Sequence, residues 1–113
     1  SRPGRARQKP GSVRWSTLVE DIATTMLETA FAIHRAGWVA GMDGNLSARL
    51  DDATFLVTRA GTAKGRLRRD DLLVIDVEGR VLHGNGRATT EWPMHRAVYQ
   101  ARPRARAVIH AHP

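Results

Sequence analysis

Apolar residues recur at helical spacing in the first third of the chain and predict a long helix over about residues 17–36. The segment Thr17-Leu-Val-Glu20 has the spacing of a capping box, which predicts a helix start near Thr17. Gly37 is a residue type that commonly ends a helix. The apolar stripe lies three or four positions apart and consists of Leu18, Ile22, Met26, Ala30 and Ile33.

Shorter apolar runs separated by turn residues predict strands in the middle and at the end of the chain. Residues 46–50 and 54–58 flank Asp51-Asp52 and predict a hairpin. Residues 72–77 form an almost continuous apolar run that is typical of a buried strand, and residues 80–83 predict a short strand after the turn at Glu78-Gly79. A final strand is predicted over residues 107–112.

A second helix is predicted between the fourth and fifth strands. Thr89 and Thr90 are residue types that cap helices, and Pro93 is tolerated in a first turn. The helix should end near Arg102-Pro103, and a helical turn is expected over residues 67–71. The order of helix, hairpin, strands, helix and strand predicts an α/β or α+β domain in which helices pack against a sheet.

Charge and composition narrow the class of protein. Of 18 basic residues, five precede residue 15, where no acidic residue occurs, so the net charge of +7 falls mostly in a tail. We therefore divide the chain into a flexible basic tail, residues 1–15, and a folded domain, residues 16–113. With 5% aromatic residues, a base-stacking surface and a nucleic-acid partner are not expected. No membrane span or secretory signal is apparent, so we expect a cytoplasmic protein.

Two histidines near the end of the chain are the strongest indication of chemistry. His110 and His112 are two positions apart on a predicted strand, so their imidazoles would project from the same face. Such a pair supplies half of a zinc site, and with no cysteine present the other ligands would be histidine or carboxylate. The alternative is a pair that faces solvent or bonds to its neighbours.

Other candidate residues lie at turns and at the start of the second helix. Gly44-Asn45 and Ala60-Gly61 form two tight turns whose backbone amides could hold an anion. Glu91 follows two threonines, where the helix dipole favours a carboxylate, and it could instead be an acid or base for a bound substrate. His95, four residues later, shares its face, and a local hydrogen bond or partner contact is the simpler role for it.

In order, these segments resemble the class II aldolase/adducin family, typified by fuculose-phosphate and ribulose-phosphate enzymes. The resemblance covers about residues 17–113. It is carried by Gly44-Asn45-Leu46-Ser47, Val57-Thr58 with Ala60-Gly61, Asp71-Leu72, Thr89-Thr90-Glu91, Arg102-Pro103 and the run from Ala107 to His112.

The resemblance implies a three-layer α/β/α sandwich with a largely antiparallel central sheet, incomplete in this chain, and a homotetramer with active sites between subunits. It implies zinc, or another divalent metal, held by His110 and His112, with a third histidine several dozen residues further on. Glu91 matches the acid/base. Asn45, Gly61, Thr89 and Thr90 match positions that hold the phosphate or oxygen atoms of a small-molecule substrate, and we group Gly44 and Ala60 with them.

The implied activity is that of a zinc-dependent aldolase-type lyase of carbohydrate metabolism. It would make or break a C–C bond in a small hydroxy-carbonyl compound, such as a sugar or sugar phosphate, through a metal-bound enediolate. Met42 and Ala60 replace two hydroxyl residues of the family and Arg59 replaces a proline, so the substrate could carry a carboxylate in place of a phosphate. Without a third histidine, the chain alone is expected to be inactive. The alternatives are a decarboxylase or epimerase and a non-catalytic adducin-like interaction domain.

Overall fold

The computed structural model describes residues 13–39 and 43–111. Most of the predicted tail, together with Met42 and His112, lies outside this range. Two α-helices and five strands are present: α1 (Val13–Arg35), β1 (Asn45–Arg49), β2 (Thr54–Thr58), β3 (Leu72–Asp76), β4 (Val81–His83), α2 (Trp92–Ala101) and β5 (Ala107–His110). Two 3₁₀ turns, Lys64–Arg66 and Arg69–Asp71, connect β2 to β3. Within the described range, no helix is long and apolar enough to span a membrane.

All five strands form one sheet in the order β4-β3-β2-β1-β5, and every neighbouring pair is antiparallel. The hairpin predicted from residues 46–58 is confirmed as β1–β2, in which Ala48 is opposite Leu56. β5 returns along the outer side of β1, with Asn45 opposite His110. The predicted antiparallel sheet is therefore confirmed.

Alternation along the strands divides the core into two halves, one on each face of the sheet. α1 covers one face and α2 covers the other, which confirms the three-layer arrangement. The cluster on the α1 face includes Val19, Ala23, Met26, Ala30, Ile33, Leu46, Ala48, Leu56, Leu72 and Val74. The cluster on the α2 face consists mainly of Phe55, Val57, Leu73, Ile75, Trp92, Tyr99 and Val108.

The starts of both helices differ from the sequence prediction. α1 begins at Val13, before the predicted capping box, and ends as predicted where Gly37 (φ +79°) lets Trp38 N–H donate to Ile33 O at 3.0 Å. α2 begins at Trp92, and its N-cap is Glu91. The predicted cap at Thr89 and Thr90 is therefore wrong in position. Thr89 is held beside the end of β2, where its N–H donates to Thr58 O (3.0 Å), and it still contacts the helix start, since its Oγ1 accepts from Glu91 N–H at 3.3 Å.

Candidate active site

One pocket of about 280 Å³ contains all the candidate site residues within the described range. It lies at the end of the sheet where β1 begins and where β2 and β5 end. Because neighbouring strands are antiparallel, the start of β1 and the ends of its two partners meet at this edge. The pocket is lined by Asp43, Gly44, Asn45, Arg59, Ala60, Gly61, Lys64, Thr89, Thr90, Glu91 and His110.

The β1 side of the pocket depends on close packing at Gly44. Gly44 has φ +82°, and a Cβ there would lie 2.6 Å from Val39 Cγ1 and 2.9 Å from His110 O. A side chain would therefore push β5 away from the start of β1. The glycine allows Asn45 to enter the strand opposite His110, which brings these two side chains together.

The opposite side of the pocket is formed by two chain segments that run side by side after β2. Arg59 pairs with Ala88 in an isolated antiparallel bridge, and Ala60 N–H donates to Arg87 O at 2.8 Å. These bonds place the turn at Gly61 (φ +77°) beside the segment that leads into α2. Glu91 is thereby brought to the pocket at the N-terminus of α2, although its side chain is exposed in the single chain.

A buried polar chain of five side chains extends from the pocket into the α2 layer. Tyr99 Oη lies 2.8 Å from Ser47 Oγ, and Ser47 Oγ lies 2.6 Å from His95 Nδ1. His95 Nε2 bonds to Asn45 Oδ1, and Asn45 Nδ2 lies 3.4 Å from His110 Nδ1. We call Tyr99, Ser47, His95, Asn45 and His110 the buried polar chain.

His95 lies at the centre of the buried polar chain and has no exposed surface. Burial, and then the nearby charge of His110, lower the pKa of His95 to about 4, so the ring is neutral at pH 7. Both ring nitrogens have partners, Ser47 and Asn45. A further metal ligand from this ring would require breaking one of these bonds, which agrees with the expectation of a local hydrogen bond.

Two basic side chains flank the pocket near the turn at Gly61. Lys64 is 4% exposed and its Nζ donates to Thr62 O at 2.7 Å. Burial lowers the pKa of Lys64, while the carboxylates of Asp43 and Asp71 act in the opposite direction. Arg59 pairs with Asp71 at 2.5 Å and remains partly exposed. Together they give the pocket cationic groups where the sequence lacks a hydroxyl at Ala60.

The ligand types around the pocket fit a divalent metal. His110 turns Nδ1 towards Asn45 and lines the pocket, so it would bind a metal through Nε2. Asp43 and Glu91 supply carboxylates to the same pocket, and imidazole with carboxylate is a donor set that zinc accepts. His112 lies outside the described residues, within which no three potential ligands form a group.

Comparison with known proteins identifies the family. The model of the Class II Aldolase and Adducin N-terminal domain matches residues 24–113. This chain belongs to the class II aldolase and adducin family. Enzymes of the family are generally dependent on a divalent metal, and members bind small molecules and are usually oligomeric.

Relatives within the class II aldolase and adducin family include several lyases. A methylthioribulose-1-phosphate dehydratase of Methylococcus capsulatus is 38% identical over 96 residues, or 85% of this chain and 47% of that protein. A 3-oxo-tetronate 4-phosphate decarboxylase of Haemophilus influenzae is 38% identical over 87 residues, which are 77% of this chain and 41% of that protein. The solved structure of an L-fuculose-1-phosphate aldolase of Thermus thermophilus matches with a TM-score of 0.68 and 33% identity. The match covers 80% of this chain and 46% of that chain. The chain thus spans less than half the length of these relatives.

The sequence indicated most of the pocket but not all of it. Gly44, Asn45, Ala60, Gly61, Thr89, Thr90, Glu91 and His110 all line it. Lys64 has no feature in the sequence that indicates a site, and the sequence alone does not connect Ser47 or Tyr99 with His95. The one available signal was the i, i+4 spacing of His95 and Tyr99 on a helix, combined with the i, i+2 spacing of Asn45 and Ser47 on a strand.

Proposed function

We propose that the protein that contains this chain is a metal-dependent lyase that acts on a small phosphorylated hydroxy-carbonyl compound. The observation that carries the proposal is the joint presence of Glu91, His110 and Lys64 around one pocket. A carboxylate for proton transfer, an imidazole for a metal and a cation for an anionic group are the parts that such a reaction needs. The three relatives described above are also named for phosphorylated substrates.

In this proposal, each residue of the chain has one task. His110, with His112, would hold a divalent metal, zinc being the one we expect. When bound, the metal supplies Lewis-acid polarisation of the substrate carbonyl. Glu91 would take or give the proton at the reacting carbon. Asn45 lines the same pocket and would contact an oxygen atom of the substrate.

The anionic end of the substrate would lie at the turn formed by Ala60 and Gly61. Thr89 and Thr90 would contribute hydroxyl groups from the opposite segment, and Gly44 and Gly61 would contribute backbone amides. Arg59 and Lys64 would supply the positive charge. These cations compensate for the hydroxyl that Ala60 lacks, and for that reason we favour a phosphate over an uncharged group.

We further propose that the active form is a homo-oligomer. Glu91 and Thr90 are exposed in the single chain. Proton transfer at carbon is favoured in a site sheltered from water, so another subunit would have to cover this side of the pocket.

The reaction type distinguishes two forms of the proposal. Aldol cleavage breaks a C–C bond, and dehydration breaks a C–O bond next to the same kind of activated carbon. The sequence resemblance favours an aldolase. The 38% identity to a dehydratase over 85% of the chain makes dehydration the second candidate.

A substrate panel tests the function directly. The zinc-loaded whole protein should convert at least one of L-fuculose 1-phosphate, methylthioribulose 1-phosphate and 3-oxo-tetronate 4-phosphate, and a chelator should abolish the activity. Aldehyde formation, loss of water and release of CO₂ separate the three outcomes. No turnover of any of them by a zinc-loaded oligomer would reject the lyase and favour an adducin-like interaction domain.

Replacing the buried lysine tests the anion site. Lys64→Met keeps the length of the side chain and removes its charge, so KM for the phosphorylated substrate should rise about 10–100-fold, the equivalent of one charged hydrogen bond, with little change in kcat. Arg66→Met, an exposed residue of the same 3₁₀ turn, is the control and should leave KM unchanged. An unchanged KM in folded Lys64→Met protein would remove Lys64 from the site.

A further inference from the structure

The hydrogen bonds of the buried polar chain can all run in the same donor-to-acceptor direction from one end to the other. A neutral imidazole has one N–H and one lone-pair nitrogen, and a primary amide has its donor and acceptor on opposite sides. His95 is neutral, with one ring nitrogen towards Ser47 and the other towards Asn45. Once the direction of one hydrogen bond is set, the directions of its neighbours follow.

The buried polar chain ends at Nδ1 of His110, the ring nitrogen that faces Asn45. Asn45 Nδ2 faces His110 Nδ1 and Asn45 Oδ1 faces His95 Nε2. In this arrangement Nδ1 of His110 accepts, so its proton is on Nε2. His95 then donates from Nε2 and accepts at Nδ1 from the Ser47 hydroxyl.

Binding of a metal by Nε2 of His110 requires these hydrogen bonds to run in the opposite direction. A histidine that binds a metal through Nε2 keeps its proton on Nδ1 and donates it to an acceptor. Asn45 would supply that acceptor if its amide turned by 180°, which exchanges Oδ1 and Nδ2 in nearly the same space. The amide NH₂ would then donate to His95 Nε2, and the proton of His95 would be on Nδ1, facing Ser47 Oγ.

We propose that His95 is a positioning residue for His110: acting through Asn45, it selects the tautomer of His110 and so determines whether Nε2 offers its lone pair to the pocket. The inference rests on the proposed metal-dependent function. The four buried members, Asn45, Ser47, His95 and Tyr99, are each no more than 5% exposed. Water therefore has little access to replace a lost partner, so the hydrogen bonds of the buried polar chain must change direction together or leave a buried group unpaired.

Zinc affinity, measured by competition with a chromophoric chelator, tests this role without an activity assay. His95→Leu removes both ring nitrogens and should weaken zinc binding about 10–100-fold, the usual effect of losing a partner that orients a metal ligand. His95→Gln retains an amide that can donate to or accept from Asn45, and its affinity should stay within about threefold of the wild type.

A matched core variant separates positioning from a general loss of packing. Val57→Ala removes buried apolar atoms from the same face of the sheet, on the strand residue opposite Ser47, and leaves the polar chain intact. It should bind zinc as the wild type does. The proposal would be overturned if His95→Leu bound zinc within threefold of wild type, or if His95→Gln lost as much affinity as His95→Leu. If His95→Leu does not fold, Asn45→Ala breaks the next link and should give the same 10–100-fold loss.

Tautomer states provide a second measurement that does not need metal. In ¹⁵N NMR spectra of the metal-free wild type, neutral His110 should carry its proton on one nitrogen, and in His95→Leu it should populate both tautomers. Adding zinc should move the His95 proton from Nε2 to Nδ1. A His110 tautomer that depends on His95 in a protein that binds no zinc would reject the proposed function but retain the positioning role. Zinc binding with a His110 tautomer that is indifferent to His95 would reject the positioning role alone.

Discussion

Glu91→Gln is expected to lower kcat of the zinc-loaded enzyme by about 10²–10⁴-fold, the usual contribution of a general acid or base. Glutamine has nearly the same shape but cannot exchange a proton, so the substrate should still bind and KM should change little. Glu91 is exposed and makes no side-chain bond that caps α2. The free energy of unfolding should therefore change by less than about 0.5 kcal/mol.

The experiment needs a control that removes one carboxylate elsewhere. Glu78→Gln alters an exposed glutamate whose partner is Arg96 at 3.3 Å, on the turn between β3 and β4, and it should retain full turnover. Zinc affinity should be measured in both variants, because a large loss in Glu91→Gln alone would make Glu91 a metal ligand. More than a tenth of wild-type kcat in Glu91→Gln would rule out its role in proton transfer.

Acidification is expected to destabilise the fold by about 3 kcal/mol between pH 7 and pH 4 through His95 alone. The folded-state pKa of His95 is about 4, below the value of about 6.5 for an unfolded chain. Between these values the unfolded chain binds more protons, so stability rises with pH. The contribution of His95 is fully present above pH 6.5 and is lost as the pH falls towards 4, with about 2 kcal/mol gone by pH 5.

The groups around His95 determine how the pH experiment is controlled. His110 on β5 is a neighbouring titratable ring, Tyr99 on α2 has its pKa raised by burial, and Arg49 lies 4.9 Å from the Tyr99 ring.

Denaturant unfolding at pH 7, 6, 5 and 4 measures how the free energy of unfolding depends on pH. The wild type should show a steep loss of this free energy as the pH falls. His95→Gln should give a much shallower one. His110→Gln should keep most of the slope, because burial is the larger cause of the shift. Equal slopes in wild type and His95→Gln would contradict the prediction.

The sequence was sufficient for the elements of the fold because local patterns determine them. The helical stripe of α1, the β1–β2 hairpin and the apolar run of β3 were all predicted near their observed positions. The beginning of α2 was not, since it follows a segment that tertiary hydrogen bonds, such as that from Thr89 to Thr58, hold beside β2. Such a bond joins residues far apart in sequence, and no local propensity contains it.

The candidate site was predictable to the extent that single residues reveal their chemistry. His110 was noticed because His112 follows it two positions later on a predicted strand, and Glu91 because it follows two threonines at a predicted helix start. Lys64 was not, since a lysine in a glycine-containing loop is normally exposed and only the packed structure shows it buried. The connection of His95 with Ser47 and Asn45 required knowing that His95 on α2 packs against β1.

The pairing of Asn45 with His110 ties the chemistry of the pocket to the alignment of two strands. Slippage of β5 by one residue in either direction would turn the imidazole of His110 to the other side of the sheet and bring Ile109 or Ala111 opposite Asn45. Neither aliphatic residue can bind a metal. Metal uptake would therefore report that these strands had joined in the native alignment, so misaligned molecules could be recognised by their failure to take up the ion.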